Sequence, residues 1–411
     1  MRALLFTVGP ALLLAAPAAA QHEGHGMSGM VMDSGATAWH VMVQAIPLVT
    51  RASPSAGGGT QAQFVLSQAL GMMRGKFLDG HAALDATLNA EGLTMRGGEL
   101  NTGAAGEVFV DKRHPHTYLH ELMLSGLASA GPVAYSLSAG RGFAPFGTDD
   151  PMVRPLEKYP LDHHLAQILE RATAIGSARM GPVVMEGGIF DGDEPTSPSS
   201  LPRIARFGDS WAARATLLPL EGAELQGSYA RVASPEQPDG NGLDQRKQSV
   251  SARLARSDRY ALAEWSRTTE RDATRATDVF SYSSLLVEGS VRISALGLAA
   301  RLEQADRPEE DRLADPFRTP RPAADLSING ITRWRVATMH VEAPAVTTSQ
   351  VSGFPFLEIA RLTAAARDVR SVFTPEHLYG TSKFWMITAG IRVAAGMTHD
   401  RMGRYGVANA Q

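Results

Sequence analysis

Apolar and polar residues alternate with a period of two in many separate segments of this chain. In the segment 385–393, for example, Trp385 and Ile387 alternate with Met386 and Thr388. Successive side chains of a strand point to opposite faces, so this pattern predicts strands with one apolar and one polar face. The other clear segments are 84–90, 211–217, 223–229, 249–254 and 296–303.

The connections between the predicted strands are alternately short and long. A soluble β-sandwich would show the same side-chain alternation, but a Greek-key sandwich has no reason to alternate its loop lengths. Transmembrane β-barrels do so, because they have short periplasmic turns and long external loops. The short connections are 78–80, 130–132, 179–182, 219–222, 256–259 and 292–294, and the long polar ones are 95–116, 141–170, 191–209, 233–245, 269–277 and 306–324.

We therefore predict an all-β fold, an antiparallel transmembrane β-barrel with short periplasmic turns and long external loops. The segments add up to about 16 strands, within a range of about 12 to 18, and bacterial barrels prefer even numbers. Residues 327–364 alternate poorly and could hold two strands or three. A barrel of this width leaves an aqueous channel unless its loops plug it.

Several charged residues fall at the polar positions of these segments. An arginine that faced lipid at the midplane would cost roughly 2–4 kcal/mol, whereas one that faces a wet lumen costs little. We therefore predict that they line the lumen, where the arginines would favour anions if the loops leave it open. These residues are Arg214, Glu224, Arg253, Glu264, Arg301, Glu303 and Arg392.

The start of the chain has the pattern of a secretory signal. Arg2 precedes an apolar run from Ala3 to Ala16, and three small residues, Ala18–Ala20, come before Gln21. This pattern predicts export and cleavage after residue 20. The expected organisation is a signal peptide at 1–20, a flexible leader at 21–37, a barrel at 38–395 and a C-terminal tail at 396–411.

Composition narrows the function classes. The chain has no cysteine, which excludes disulfide frameworks, thiolate metal sites and a lipidated cysteine after the signal. Its formal net charge of -3 argues against a nucleic-acid partner. The partners we expect are outer-membrane lipid and the barrel-insertion machinery, and the expected location is the outer membrane.

The predicted leader is rich in histidine and methionine. Imidazole and thioether donors suit copper, so copper is the cofactor that this segment would bind, in a weak and open site. The other interpretation is a disordered leader of chance composition. The candidate ligands are His22, His25, Met27, Met30 and Met32.

Two further histidine clusters lie at or beside long connections. His114 and His116 flank Pro115, and His163 is followed by His164. If the loops fold inward, these histidines could meet and bind a divalent metal. The alternative is that they are hydrogen-bonded loop anchors, since no three ligands have a fixed local spacing.

The segment 207–210, Phe-Gly-Asp-Ser, resembles the nucleophile segment of GDSL-type hydrolases. That motif should open its domain and needs a downstream Asp-x-x-His to supply the base, and none follows here. Ser210 instead begins an alternating strand. We therefore assign no catalytic residue and do not expect an enzyme.

Several short motifs between residues 38 and 395 match those of a known family: Lys112–His116, Glu121, Leu122, Pro160, His163, His164, Gln167, Asp209–Trp211, Arg214, Pro219, Pro375 and Leu378–Gly380. On these motifs the chain resembles a poorly characterised group of Gram-negative outer-membrane β-barrel proteins, which often carry a His/Met-rich leader. The resemblance implies the barrel and its location but no particular solute. Members of such barrel families usually end at an aromatic residue, whereas this chain continues past its last strand, so Tyr405 is a candidate for that role.

Three functions remain open from the sequence. The preferred hypothesis is a porin-like barrel with a passive role in solute passage or envelope structure, linked to copper or another metal through its leader. The second is an outer-membrane lipid hydrolase, and the third is a secreted, soluble β metal-binding protein. The direction of the apolar side chains, outward to lipid or inward to a core, separates the barrel from the soluble fold.

Overall fold

Sixteen long antiparallel strands form one closed sheet, which confirms the predicted β-barrel and its strand number. The computed structural model of the chain describes residues 32–33, 38–53, 61–94, 116–148, 150–161, 163–237, 239–310, 328–348, 351–367, 374–376, 380–396 and 401–409. Each strand pairs with the next one along the chain, and the last strand closes the ring on the first. The strands are β1 (Ala38–Ser53), β2 (Gln61–Phe77), β3 (Ala82–Asn89), β4 (Leu119–Ala130), β5 (Val133–Gly142), β6 (Arg171–Met180), β7 (Val183–Phe190), β8 (Ser210–Leu220), β9 (Ala223–Val232), β10 (Asp244–Arg256), β11 (Arg259–Asp272), β12 (Thr277–Ile293), β13 (Leu296–Glu310), β14 (Ile328–Glu342), β15 (Val351–Ala366) and β16 (Lys383–Gly396).

The remaining described elements are small. Met32–Asp33 pairs with the start of β1, and Val346–Thr347 pairs with β15. A single helical turn, α1, spans His163–Ala166. Among the described residues, no helix is long and apolar enough to cross a membrane.

Short and long connections alternate around the barrel as predicted. Five of the short turns have two residues, and Gly131 and Gly181 each take a positive φ at the first position of their turn. A positive φ there is what the twist of a tight hairpin requires. One predicted long connection, 269–277, is in fact only Ala273–Ala276, because β11 and β12 continue further than the alternation indicated.

The apolar faces of the strands point outward. On β13 the outward Leu302 is 63% exposed while its neighbour Arg301 is 1% exposed, and on β10 Val250 is 57% exposed while Ser249 is 1% exposed. A surface of exposed leucine, valine and isoleucine on all sides of a closed barrel is suited to lipid and not to water. The soluble β-fold, which needs these side chains in its core, does not describe this molecule.

The sector from β14 through β16 to β1 is apolar on its inner face as well. Trp334, Val336, Leu362 and Phe384 lie inside the barrel, buried in one cluster. This explains why residues 327–364 alternate poorly: both faces of β14 and β15 carry apolar residues. The segment holds two long strands and the two-residue strand.

Both described ends of the barrel wall lie at the short-turn end. Ala38 of β1 pairs with Lys76, next to the first short turn, and Gly396 of β16 pairs with Met42. The chain after β16 therefore starts from the short-turn end of the lumen. The long connections, which start from the opposite end, include Phe143–Glu170 between β5 and β6.

Candidate functional site in the lumen

The connection Phe143–Glu170, here called the lumen loop, folds into the barrel and crosses it. Near its start, the N–H of Gly147 donates to Oγ of Ser228 on β9 (3.1 Å). Further along, the carbonyl of Glu157 accepts a hydrogen bond from Nε2 of Gln68 on β2 (3.2 Å). Because β9 and β2 lie on nearly opposite sides of the sixteen-strand ring, the loop spans the lumen.

Charged side chains of the wall hold the middle of the lumen loop. Arg154 of the loop pairs with Glu264 on β11 (3.3 Å) and with Glu288 on β12 (3.8 Å). Arg301 on β13 donates to Glu288 (2.6 Å) and to the carbonyl of Lys158 in the loop (2.8 Å). Buried ion pairs of this kind fix a geometry, since removing one partner leaves an uncompensated charge.

The next residues of the loop are held in the same way. Oε2 of Glu303 accepts the backbone N–H of Leu161 (2.6 Å). The carboxylate of Glu157 lies 3.5 Å from Nε of Arg392, and Arg392 also bonds to Glu342 on β14. The N–H of Glu157 also donates to Oε1 of Glu358 on β15 (2.7 Å), so the loop is attached directly to β13, β15 and β16, and through Arg392 to β14.

Glu157 and Lys158 are buried in this contact, and burial disfavours the charged form of each. Burial raises the pKa of Glu157 to about 7, with Glu358 and Glu342 adding repulsion and Arg392 and His340 opposing the rise. Burial likewise lowers the pKa of Lys158 to about 8, and Arg301 adds to the lowering. The docked loop is therefore sensitive to pH near neutrality.

The residues Arg401–Asn409, here called the tail, enter the lumen from the short-turn end. Tyr405 is buried; its hydroxyl donates to Glu121 on β4 (2.5 Å) and accepts the backbone N–H of Phe143 at the start of the lumen loop (2.9 Å). The N–H of Val407 donates to Oγ of Ser136 on β5 (3.0 Å). The tail thus packs against the wall and against the loop. Tyr405 lies inside the barrel, so in this conformation it is not presented as a terminal assembly signal.

Two arginines of the tail bind acidic residues of the wall. Arg401 makes a two-pronged contact with Glu224 on β9, and Arg404 bonds to Glu186 on β7 (3.1 Å) and to Gln226. Burial, with Arg214 and Arg401 close by, lowers the pKa of Arg404 to about 9. Like charges are therefore crowded where the tail is seated.

Arg214 on β8 connects the wall, the lumen loop and the tail. Its Nε and Nη2 donate to the two carboxylate oxygens of Glu186 (2.6 and 2.7 Å). Its Nη1 donates to the carbonyl of Gly147 in the loop (3.2 Å), and Nη2 also donates to the carbonyl of Gly403 in the tail (2.8 Å). One side chain thus holds both segments in place.

The seven charged residues predicted from the sequence to line the lumen all lie on the inner face of the barrel. They do not face an aqueous channel: Arg214, Glu264 and Arg301 are each 2% exposed or less. The loop and the tail cover them, and the arginines are paired, Arg253 with Glu224 for example (3.5 Å). The condition for an anion-attracting lumen, loops that leave it open, is not met in this conformation.

Open space remains at the short-turn end. A cavity of about 650 Å³ lies between the tail and the wall, and its lining carries four arginines and two glutamates. A smaller cavity of about 230 Å³ lies beside the lumen loop near Arg154 and Arg392. The charged residues of the larger cavity are Arg179, Glu221, Glu224, Arg253, Arg401 and Arg404.

One trio of buried acidic and histidine residues could resemble a metal site. Possible ligand atoms of Glu157, His340 and Glu342 lie within 4.8 Å of one another. However, Arg292 and Arg392 both bond to the carboxylate of Glu342. Guanidinium groups already neutralise this carboxylate, so we interpret the trio as an ion-pair network.

Two of the predicted histidine ligands meet at the other end of the lumen loop. Nε2 of His116 lies 3.4 Å from Nε2 of His163, and Nδ1 of His116 contacts Oε2 of Glu91 (2.7 Å). Burial disfavours the charged forms of His116 and Glu91, but the contact between the two side chains has the larger effect. It raises the pKa of His116 to about 9 and lowers that of Glu91 to about 2. His114, His22, His25, Met27 and Met30 lie outside the described residues, as do the side chains of His164 and Met32.

Ser210, from the hydrolase-like segment, has a structural role. Its hydroxyl donates to Oδ1 of Asp209 (2.7 Å) and accepts the N–H of Ala233 (2.9 Å). These bonds fix the start of β8 against the end of β9. The serine is buried and its partners are not those of an activated nucleophile.

Comparison with known proteins places the fold. The chain is similar to the anion-selective porin from Comamonas acidovorans, with 11% identity, a TM-score of 0.53, and 87% of this chain and 99% of that one covered. It is also similar to OmpT of Vibrio cholerae in its trimer form, with 8% identity, a TM-score of 0.50, and 88% of this chain and 99% of that one covered. A further similar structure is OprB of Pseudomonas putida, with 10% identity, a TM-score of 0.50, and 87% of this chain and 94% of that one covered. No family model matches the chain, and a search of curated proteins finds no match. The likeness establishes a porin-type fold.

Proposed function

We propose that this protein is an outer-membrane, porin-like barrel for passive solute passage, and that its lumen is closed in the conformation described. The observation that carries the proposal is the reversal of polarity across the wall. Apolar side chains such as Leu302 and Val250 face outward, while charged residues such as Arg214 and Glu264 face inward and are buried. A lipid-embedded barrel with a polar interior is built for traffic across a membrane.

Passage through this barrel requires that a plug moves, and the tail is the better candidate. It covers the 650 Å³ cavity at the short-turn end, and within Arg401–Asn409 only Met402 and Tyr405 belong to buried apolar clusters. The lumen loop, by contrast, is fixed at both ends by β5 and β6. We therefore assign the tail as the segment whose release opens the lumen.

The open barrel should select only weakly between anions and cations. Arg214 pairs with Glu186 and Arg301 with Glu288, and both pairs belong to the wall and stay after the tail leaves. Paired charges largely cancel at the distance of a passing ion. We expect a reversal potential close to zero in a salt gradient, in place of the anion preference that unpaired arginines would give.

Conductance in planar bilayers tests the proposal. The full mature chain should remain mostly closed, whereas a chain that ends at Gly396 should conduct in steady steps. Arg401→Glu should also open the channel, since it places a carboxylate against Glu224, and Arg401→Lys is the matched control that keeps the charge. A truncated chain that inserts but never conducts contradicts solute passage.

A disulfide that can be formed and reduced tests whether the tail, and not another segment, is the gate. The chain contains no cysteine, so Ser136→Cys combined with Val407→Cys introduces the only pair, at a place where the backbone N–H of Val407 already contacts Ser136. We expect oxidation to abolish the residual openings of the full chain and reduction to restore them. Openings that are equally frequent in the oxidised and reduced forms would exclude the tail as the gate.

Fractionation tests the location. The protein should sediment with outer-membrane vesicles and leave them only with detergent, because its outward surface is apolar. Release by osmotic shock alone would contradict the proposal and would favour a soluble periplasmic protein.

A further inference from the structure

We propose that the histidine pair His116 and His163 forms a site for a divalent transition metal, with Zn²⁺ as its defining probe. The site lies where the lumen loop meets the base of β4, and it does not depend on the proposed solute passage. The two Nε2 atoms are 3.4 Å apart. Two imidazole nitrogens bound to one tetrahedral zinc at about 2.0–2.1 Å would be separated by roughly this distance.

Nδ1 of His116, the ring nitrogen that would not bind the metal, is held by a carboxylate, as is usual in metal-binding histidines. Its Nδ1 contacts the buried carboxylate of Glu91, which also accepts the hydroxyl of Tyr159 (2.8 Å). A carboxylate on the far nitrogen fixes the orientation of the ring and raises its basicity as a ligand. Glu91 is in turn held by Ser67 and by the N–H of Gln68, so the arrangement is rigid.

A third histidine nearby repeats this arrangement. Nδ1 of His120 contacts Oε1 of Glu170 (2.5 Å), and its Nε2 is buried and has no hydrogen-bond partner among the residues that the structure describes. Its ring centre is 5.7 Å from that of His116. A buried imidazole nitrogen without a partner is costly, and a metal-bound water in the space between the rings would relieve that cost.

The surroundings favour a cation and leave room for its water. Glu91 contacts His116 and Glu170 contacts His120, and both carboxylates are buried, so negative charge lies directly beside the imidazoles. A cavity of about 40 Å³ reaches His116 between Glu170 and Lys247. This volume accepts one or two waters, the usual remaining ligands of an incomplete protein site.

Zinc titration of the full mature protein in detergent tests the site. The leader contributes its own donors, so every measurement is made in a His22→Gln, His25→Gln background. We expect one zinc per chain in this background and none after His163→Gln. Glu91→Gln should weaken binding by about 10–100-fold, since it removes only the positioning carboxylate. Tyr118→Phe, on the outer surface, is the matched control and should leave the stoichiometry unchanged.

X-ray absorption at the zinc edge supplies a measurement that needs no histidine variant of the pair. It should show two imidazole nitrogens at about 2.0–2.1 Å, with oxygen completing the shell. A shared proton between the rings, with no metal, is the competing explanation. Absence of zinc binding at pH 7.5 up to millimolar concentration, or equal binding by the His22→Gln, His25→Gln chain with and without His163→Gln, would overturn the proposal in favour of the proton.

Discussion

The lumen loop and the tail fill the same barrel from opposite ends, yet they are held by different forces. The loop contributes Phe143, Phe146, Met152 and Leu169 to buried apolar clusters inside the barrel. Fully burying a side chain of this size contributes about 1.5–3 kcal/mol. The loop therefore packs as part of a core, in addition to its ion pairs.

The tail has much less to hold it. Met402 and Tyr405 are its main buried contacts with apolar clusters, and its two arginines bind where Arg214 and Arg253 already supply positive charge. Fixing each residue of such a segment costs about 1–2 kcal/mol of backbone entropy. The difference indicates that the loop stays docked as a permanent constriction of the lumen, whereas the tail is the releasable plug.

The largest expected effect is at Arg214, where the two segments meet. Among the described residues, Arg214→Met leaves the buried Glu186 with only Arg404 as its ion-pair partner. It also removes one donor from the carbonyl of Gly403 and one from that of Gly147, which keeps its bond to Gln226. Breaking a buried pair of this kind costs about 3–5 kcal/mol. Urea unfolding in lipid vesicles should show that loss in the free energy of unfolding, and bilayer recordings should show a more open channel.

Arg256→Met, at an exposed position beside a short turn, is the control for Arg214. Exposed substitutions of this kind usually change stability by less than about 0.5 kcal/mol. If both variants unfold at the same urea concentration as the wild type, Arg214 does not hold the loop and the tail together.

The next effect in size concerns the loop alone and depends on pH. The pKa of Glu157 rises from 4.5 to about 7 on folding, because burial disfavours its charge. A folded pKa above the unfolded one gives a stabilising contribution that is complete below pH 4.5 and is lost as pH rises through 7. That contribution is about 3 kcal/mol.

Hydrogen exchange of the loop amides, corrected for the intrinsic rate, measures this loss. We expect the amides of 150–161 to open more readily at pH 8.5 than at pH 6, while those of the tail change less. Glu157→Gln should remove most of the dependence, since it keeps the shape without the titrating group. A dependence that is unchanged in Glu157→Gln would assign it to another residue.

The strands and turns of the barrel wall were predictable from the sequence because the signals that specify them lie within a few neighbouring residues. A period of two follows from strand geometry, and residues such as Gly131 and Gly181 mark turns that need a positive φ. Arg214 and Glu264 were placed on the inner face by parity alone. Where both faces are apolar, as around Trp334, the same rule loses its signal.

The contents of the lumen were not predictable, because their causes are distant in sequence. Gly147 meets Ser228, and Arg404 meets Glu186, only after the barrel has closed. The meeting of His116 and His163 depended in the same way on the loop folding inward, which the sequence raised only as a condition. The tail did carry a signal that was missed: Arg401, Arg404 and Tyr405 follow the last strand, where a barrel would be expected to end.

The smallest of these effects concerns the tail alone. Tyr405→Phe removes the hydroxyl that donates to Glu121 and accepts the N–H of Phe143, while the ring stays in its cluster. The change leaves the buried N–H of Phe143 without this acceptor, whereas Glu121 keeps its bonds to Gly403 and Thr87. The cost is about 1–2 kcal/mol, which is about tenfold in the opening of the tail. In a Val407→Cys background, where the thiol is buried with the tail, maleimide labelling from the short-turn side should accelerate by about that factor. Tyr118→Phe should not change the rate. Labelling that is fast and equal with tyrosine or phenylalanine at position 405 would mean that the tail is already released. The contrast between the docked loop and the releasable tail would then no longer depend on Tyr405.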